Sequence, residues 1–236
     1  MAVLNLQKNF HIKGNKLKRL LDIIFSLLII TVFLPVGFFI ILILKFTGEG
    51  EIFYKQSRTG QYSEPFGLFK FVTMVKDSPN LGAGDITIED DPRVLPFGKF
   101  LRKTKLNEFP QFINVLIGDM SLVGPRPLVK NQYDMIPDNL KQKIKNLKPG
   151  ITGIGSIIFR DEERFLHLNN DESHIFYREE IVPFKATLEC WYEENASFWI
   201  DILLILTTII MVVFPRINLH KYFFGDLPQH PLFNPA

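Results

Sequence analysis

The sequence is poor in cysteine: Cys190 is the single one among 236 residues. One thiol cannot close an internal disulfide, nor can it supply the Cys-rich ligand set of a structural zinc site. Without a disulfide framework, the part of the chain that carries chemistry is expected in a reducing cytoplasm. An excess of either charge is also missing. The 27 Lys and Arg residues stand against 25 Asp and Glu, so no nucleic acid is expected as a partner. Repeats and low-complexity tracts are absent, and a composition that is 47% hydrophobic and 22% charged is not that of a disordered chain. The length suffices to bury a core.

Charge is missing most completely from residues 23–44, where IIFSLLIITVFLPVGFFIILIL has only Ser26 and Thr31 as polar positions. As a straight helix this run would measure roughly 33 Å, about the thickness of a bilayer's hydrocarbon core. A soluble core helix would show a polar face, and a signal peptide would need a small-residue cleavage site where Leu42-Ile43-Leu44-Lys45 stands, so membrane insertion is expected. Pro35, followed by Gly37, predicts a break or kink, leaving residues 23–34 and 36–44 each too short to cross. Basic residues lie before the run (Lys8, Lys13, Lys16, Lys18, Arg19) and after it (Lys45, Lys55, Arg58). Two basic flanks favour a hairpin that enters and leaves by the cytoplasmic leaflet over a kinked spanning helix. A second apolar stretch, residues 202–214, is too short to cross and reads as an interfacial or core helix. Trp191, Tyr192 and Trp199 before it are residue types that settle at headgroup level, or else pack in a core.

Between these stretches, residues 51–54 and 66–74 read as strands or strand-helix transitions, and residues 76–91, with Pro79, Gly82 and Gly84, as a loop. Residues 97–130 read FGKFLRKTKLNEFPQFINVLIGDMSLVGPRPLVK. The segment 97–105 mixes apolar and basic positions as a helix on an anionic surface would. Asn107 and Glu108 precede Pro110, which favours the first turn of a helix whose apolar face is Phe112, Ile113, Val115 and Leu116, with Gly118 as its stop. They therefore sit near a helix N-terminus, where free amides and the dipole favour negative charge; a plain N-cap is the competing reading. Arg126 follows Gly124 and lies between Pro125 and Pro127. That stiff backbone suits a guanidinium that grips phosphate in bidentate fashion, and a structural salt bridge competes with it. Arg102 and Lys103 lie nearby in sequence. The turn-rich Lys148-Pro149-Gly150-Ile151-Thr152-Gly153 leads to Arg160-Asp161-Glu162-Glu163. Residue chemistry alone thus reaches a membrane-bound protein with a phosphate-binding, carboxylate-containing site.

Several strings occur in a particular order: Lys18-Arg19-Leu20-Leu21-Asp22 before the apolar run, Phe69-Lys70-Phe71, LNEFPQ at 106–111, Asn114-Val115-Leu116, GDMSLVGPRP at 118–127 and KPGITG at 148–153. In this order they resemble the bacterial sugar transferase family, the monotopic polyprenyl-phosphate phosphoglycosyl transferases, over about residues 16 to 214. The resemblance implies an α+β, mainly helical fold, a monotopic membrane protein with an N-terminal re-entrant helix-break-helix around Pro35 and amphipathic interfacial helices. It implies a basic flank and membrane helix over 1–46, a cytoplasmic catalytic domain over 47–216 and an irregular tail over 217–236. The implied activity is transfer of a phosphosugar from a nucleotide diphosphate sugar to undecaprenyl phosphate, with Mg²⁺. The product is an undecaprenyl-diphosphate sugar, the first lipid-linked intermediate of a capsule, O-antigen or exopolysaccharide. The place is the cytoplasmic face of a bacterial inner membrane, with room for a homo-oligomer.

In that family an Asp-Glu pair precedes a Leu-Pro-Gln-like motif, and the Asp is the nucleophile and metal contact. Here Asn107 stands at the Asp position and Glu108 matches the Glu. A carboxamide is a poor nucleophile, although its oxygen can ligate Mg²⁺. Three readings follow: an inactivated Asp enzyme, Glu108 as the nucleophile, or direct transfer to the lipid phosphate. From outside enzymology comes a further reading, an inactive homologue that binds polyprenyl phosphate or scaffolds glycan assembly. The family's Gln-Val-Asn-Gly-Arg-like string is here Ser156-Ile157-Ile158-Phe159-Arg160, followed by three acids, and Val72 replaces a usual Arg. By resemblance, Lys70, Arg102, Arg126 and Arg160 are the anion-binding candidates, and Asn107 and Glu108 the catalytic ones.

Overall fold

The computed structural model describes residues 2–47, 49–81, 91–160, 173–214 and 223–230. Helix α1 covers Ala2–Phe46. A hairpin of β1 (Phe53–Thr59) and β2 (Pro65–Phe71) follows, then α2 (Pro96–Lys103) and α3 (Gln111–Ile117). Next come β3 (Ser121–Val123), α4 (Lys130–Asp134), α5 (Asp138–Ile144), β4 (Gly150–Thr152) and α6 (Ile154–Ile158). Helix α7 (Ser173–Phe176), a π turn (Tyr177–Ile181) and α8 (Val182–Asn195) run on from one another, and α9 spans Phe198–Val213. The described residues are α+β and mainly helical, as expected, with two small sheets. The stretch from Lys16 to Phe46 makes one helix long and apolar enough to cross a membrane.

Pro35 does not divide α1. The helix runs through it from Ala2 to Phe46, so of the break or kink expected there, no break is present. Proline removes one donor from the helical ladder, yet the turns on either side are held by a neighbour. The Phe109 ring lies 5.5 Å from that of Phe33, and its Cε1 stands 4.0 Å from where a Cβ on Gly37 would be. One aromatic side chain thus bridges the turn before Pro35 and the turn after it.

The chain forms two compact units: Met1–Asp22, Arg58–Phe66 and Gly118–Ala236 make the first, Ile23–Ser57 and Gly67–Ile117 the second. Both draw on segments from either side of residue 46. The second unit is organised by an apolar cluster of Ile40, Leu44, Phe71 and Leu101, with Ile41, Ile52, Phe97, Leu106 and Phe109 against it. In the first unit, Ile136, Ile144, Val182, Ala186 and Cys190 form a cluster that joins α5 to α8.

In the first unit, β3 and β4 pair in parallel, Ser121 with Gly150 and Val123 with Thr152. Their flanking glycines are required by close backbone approach. A Cβ on Gly124 would fall 2.1 Å from the Lys148 carbonyl oxygen, and one on Gly153 2.2 Å from the Gly124 carbonyl oxygen. The expected tail is irregular over 223–230 but packed. Phe224 and Leu227 are buried, Trp191 Nε1 donates to Asp226 at 3.3 Å, and the His230 ring lies 4.9 Å from that of Phe184. Residues 82–90, within the expected loop, lie outside the described residues, whereas Asp91 at its end is buried in a 2.6 Å ion pair with Arg93. Trp191 and Tyr192 are core residues, not headgroup-level ones. Tyr192 is 2% exposed, while Trp199 is 71% exposed.

Candidate active site

Asn107 and Glu108 lie on a 3-10 turn, Leu106–Glu108, entered through Lys105 at φ 60° and followed by α3. The sequence placed them just before a helix, and that is where they are. Asn107 is 9% exposed, and its Oδ1 is a buried oxygen with no hydrogen-bond partner. A bare buried carbonyl oxygen costs about 1–3 kcal/mol, so its persistence marks a position shaped for something else. Glu108 is half-buried, and no ion pair engages its carboxylate among the described residues.

The second unit brings four sequence candidates onto one scaffold through their neighbours. Phe71 beside Lys70, Leu101 beside Arg102, Leu106 beside Asn107 and Phe109 beside Glu108 all belong to the Ile40–Leu44 cluster. A second device fixes β2 to α3. Asn114 accepts from Phe69 N at 2.9 Å and donates through Nδ2 to the Gly67 carbonyl at 2.8 Å, so one amide replaces two ladder bonds. Lys70 Nζ donates to Gln56 Oε1 at 3.1 Å. Arg102 Nε donates to Thr73 Oγ1 at 3.0 Å, and burial lowers its pKa, a sign of a cation short of solvent. Gly98 lets α2 lie against Thr73, since a Cβ there would fall 2.2 Å from the Thr73 oxygen.

The remaining two anion candidates belong to the first unit. Arg126 is exposed on the Pro-bounded turn after β3, and no hydrogen bond or ion pair engages its side chain among the described residues; the salt-bridge reading has no partner to rest on there. Arg160 is exposed, with Nη1 donating to the Met211 carbonyl. The acids Asp161, Glu162 and Glu163 lie outside the described residues.

Much of the remaining motif content of the first unit is architecture. Asp22 Oδ1 accepts from Ser121 Oγ at 3.1 Å and Leu122 N at 2.9 Å. Lys18 Nζ donates to Asp201 Oδ2 at 2.6 Å, to Tyr192 Oη at 3.0 Å and to the Val123 carbonyl at 3.0 Å. Tyr192 donates to Asp201 Oδ1 at 2.5 Å, and burial, then Asp201, push its pKa well up. Lys148 Nζ donates to the Gly118 carbonyl at 2.7 Å, with its pKa lowered by burial and then by Arg19. The sequence reading missed Tyr192, Asp201 and Glu189 as structured polar groups. Glu189 is 6% exposed in the middle of α8; Oε1 accepts from Gly155 N at 3.3 Å and Oε2 has no partner.

Residues 13–215 match the family model described as bacterial sugar transferase. Among similar proteins, the undecaprenyl-phosphate galactose phosphotransferase of Salmonella typhimurium is 30% identical over 224 residues, which is 88% of this chain and 43% of that protein. The uncharacterized sugar transferase EpsL of Bacillus subtilis is 31% identical over 193 residues, 82% of this chain and 85% of EpsL. The UDP-glucose:undecaprenyl-phosphate glucose-1-phosphate transferase of Escherichia coli is 40% identical over 144 residues, 60% of this chain and 31% of that enzyme. The chain thus spans less than half the length of the Salmonella and Escherichia proteins.

Proposed function

The chain belongs to the bacterial sugar transferase family, and from that premise we propose that it transfers a sugar phosphate from a nucleotide diphosphate sugar to undecaprenyl phosphate at the cytoplasmic face of a bacterial inner membrane. The product would initiate a lipid-linked glycan. The reading is supported above all by the Leu106–Glu108 turn, where a buried, unpartnered carbonyl oxygen adjoins a carboxylate on a scaffold shared with Lys70 and Arg102.

In a direct transfer, an oxygen of the lipid phosphate attacks the phosphorus that bears the sugar. A new P–O bond forms as the bond to the nucleoside monophosphate breaks, and that monophosphate leaves with the electron pair. In a two-step transfer, the Glu108 carboxylate attacks that phosphorus and expels the nucleoside monophosphate, and the lipid phosphate then attacks the same phosphorus and expels the carboxylate, splitting one displacement into two. Both routes place negative charge on phosphoryl oxygens; Lys70 and Arg102, on the scaffold that carries Glu108, would bind and orient those groups, and Arg126 and Arg160 are the anion-binding candidates of the first unit.

The residues fit a magnesium ion. The unpartnered Asn107 Oδ1 and the neighbouring Glu108 carboxylate are hard oxygen ligands, of the kind used by an ion that keeps waters and takes further ligands from substrate phosphates. Asn107 Oδ1 and Glu108 would hold it, and bound there it would neutralise diphosphate charge. In the membrane, α1 would take a re-entrant path, and Trp199, Leu206, Ile209, Val212 and Val213, among the exposed residues of α9, would rest at the interface.

The test is release of nucleoside monophosphate from a panel of nucleotide sugars. Release from one donor, dependent on both undecaprenyl phosphate and Mg²⁺, is the expected result. Retained binding of the lipid phosphate with no release from any donor would favour the inactive, lipid-binding or scaffolding homologue instead.

A further inference from the structure

Helix α8 grips the segment that ends at Arg160 at two points one helical turn apart. Gly155 N donates to Glu189 Oε1 at 3.3 Å, and Lys185 Nζ lies 5.1 Å over the ring of Phe159. Residues 185 and 189 are spaced i, i+4 on α8, as are 155 and 159 on the segment, so the two turns face each other. Glycine is required at the first point, because a Cβ on Gly155 would fall 2.5 Å from Glu189 Oε1. Phe184 closes the side of this contact, its ring 5.9 Å from that of Phe159.

Glu189 is not satisfied by this arrangement. Its one hydrogen bond is longer than the usual 2.7–3.2 Å range for N–H to oxygen, and its other oxygen is buried without a partner. We propose that Glu189 is a protonation-dependent positioning residue: ionised, it draws the Gly155 amide onto α8 and sets Arg160, and neutral, it lets that segment ease away. The inference rests on the phosphotransfer reading, through Arg160 as an anion-binding group.

The physical basis is the difference between the two forms as acceptors. A carboxylate accepts shorter and roughly twofold stronger hydrogen bonds than a neutral carboxyl, so gaining charge tightens the Gly155 contact. Burial raises the Glu189 pKa to about 7, with the Gly155 bond and the Lys185 charge pulling it down. Cys190 and Tyr192, on the same helix, feel its charge in turn. The elements against α8 carry other titratable groups: Lys18 on α1 and Asp201 on α9 beside Tyr192, Asp138, Lys141 and Lys143 on α5, Tyr177, Arg178, Glu179 and Glu180 on the π turn, and Asp226 and His230 further along the chain. Helix α6 carries none.

Two readouts on the full chain in detergent test this. The first is hydrogen–deuterium exchange of peptides covering residues 150–160, corrected for the intrinsic pH dependence of exchange. Protection should step up as pH rises through about 7, and Glu189→Gln should remove the step. His230→Gln should leave it, which separates a neighbouring side chain of a type that ionises near neutrality. Lys185→Gln should move the step to higher pH, because the charge that favours the carboxylate is gone. The second readout is nucleoside monophosphate release, whose rate should rise several-fold through the same step and lose the rise in Glu189→Gln. An unchanged protection step in Glu189→Gln, or an unmoved one in Lys185→Gln, would overturn the proposal. So would a protection step beside a flat rate profile, because Arg160 would then not depend on it. No turnover from the parent chain, with the Glu189-dependent protection step intact, would sink the phosphotransfer reading while supporting the positioning role.

Discussion

At the scale of single residues, the buried oxygen of Asn107 decides what a substitution there can do. Asn107→Asp would place a carboxylate at a site 9% exposed, beside Glu108 and with no cation engaged there among the described residues. Two neighbouring carboxylates perturb each other's ionisation, and burial disfavours the charged form of the new one. We expect the variant to turn over no faster than the parent and to lose about 1–3 kcal/mol of stability, measured by release of nucleoside monophosphate and by denaturant unfolding. Glu108→Gln, isosteric and half-buried, should abolish release and leave unfolding unchanged. An Asn107→Asp protein that gained turnover and carried a phosphosugar adduct by intact mass would show instead that this chain descends from an Asp enzyme by inactivation. The sequence made this position conspicuous through its motif. What it could not carry was burial, which depends on how α1, β2 and α2 pack around the turn through Leu106.

At the scale of elements, local patterns served well where the determinant was local. The apolar run became α1, the basic-apolar segment after residue 96 became α2, and the Pro110 signal marked the start of α3 within a residue. Pro35 sits inside a continuous helix, and a contact more than 70 positions away, the Phe109 ring laid across Phe33 and Gly37, flanks it on both sides. That contact bears on topology. Continuous helix from Lys16 to Phe46 is roughly 46 Å long, enough to cross, so Pro35 alone does not force re-entry, and a re-entrant path would have to follow from the basic flanks. Cysteines placed at Lys13 and Lys55 in a Cys190→Ala background should both resist an impermeant thiol reagent added to intact cells. Labelling at one site alone would establish a spanning helix. Pro35→Ala should shift the population towards that spanning form, since it restores the missing backbone donor.

At the scale of the whole molecule, the six anion-binding and catalytic candidates divide between units, Lys70, Arg102, Asn107 and Glu108 in the second and Arg126 and Arg160 in the first. Motifs that look catalytic by their density, such as GDMSLVGPRP and KPGITG, spend most of their residues on a backbone-to-backbone ladder that only glycine permits. Sequence reading missed the polar network beside them because its members are remote: Lys18 meets Tyr192 and Asp201 across 174 and 183 positions. No periodicity or spacing encodes such a pairing; it exists only once the first turns of the long helix, β3, α8 and α9 share one unit. The network should therefore report on assembly of that unit as a whole. Lys18→Met strands the Asp201 carboxylate and should cost about 2–3 kcal/mol, less than a fully buried pair because Lys18 keeps 28% of its side chain exposed. Tyr192→Phe removes one hydrogen bond to that carboxylate and should cost about 1 kcal/mol. Lys18→Met combined with Asp201→Leu removes both charges and should recover most of the loss, because no unpaired ion is left buried. Urea unfolding of the detergent-solubilised chain measures all three. A double variant as unstable as Lys18→Met would show that Lys18 acts by packing its alkyl chain and not by its charge.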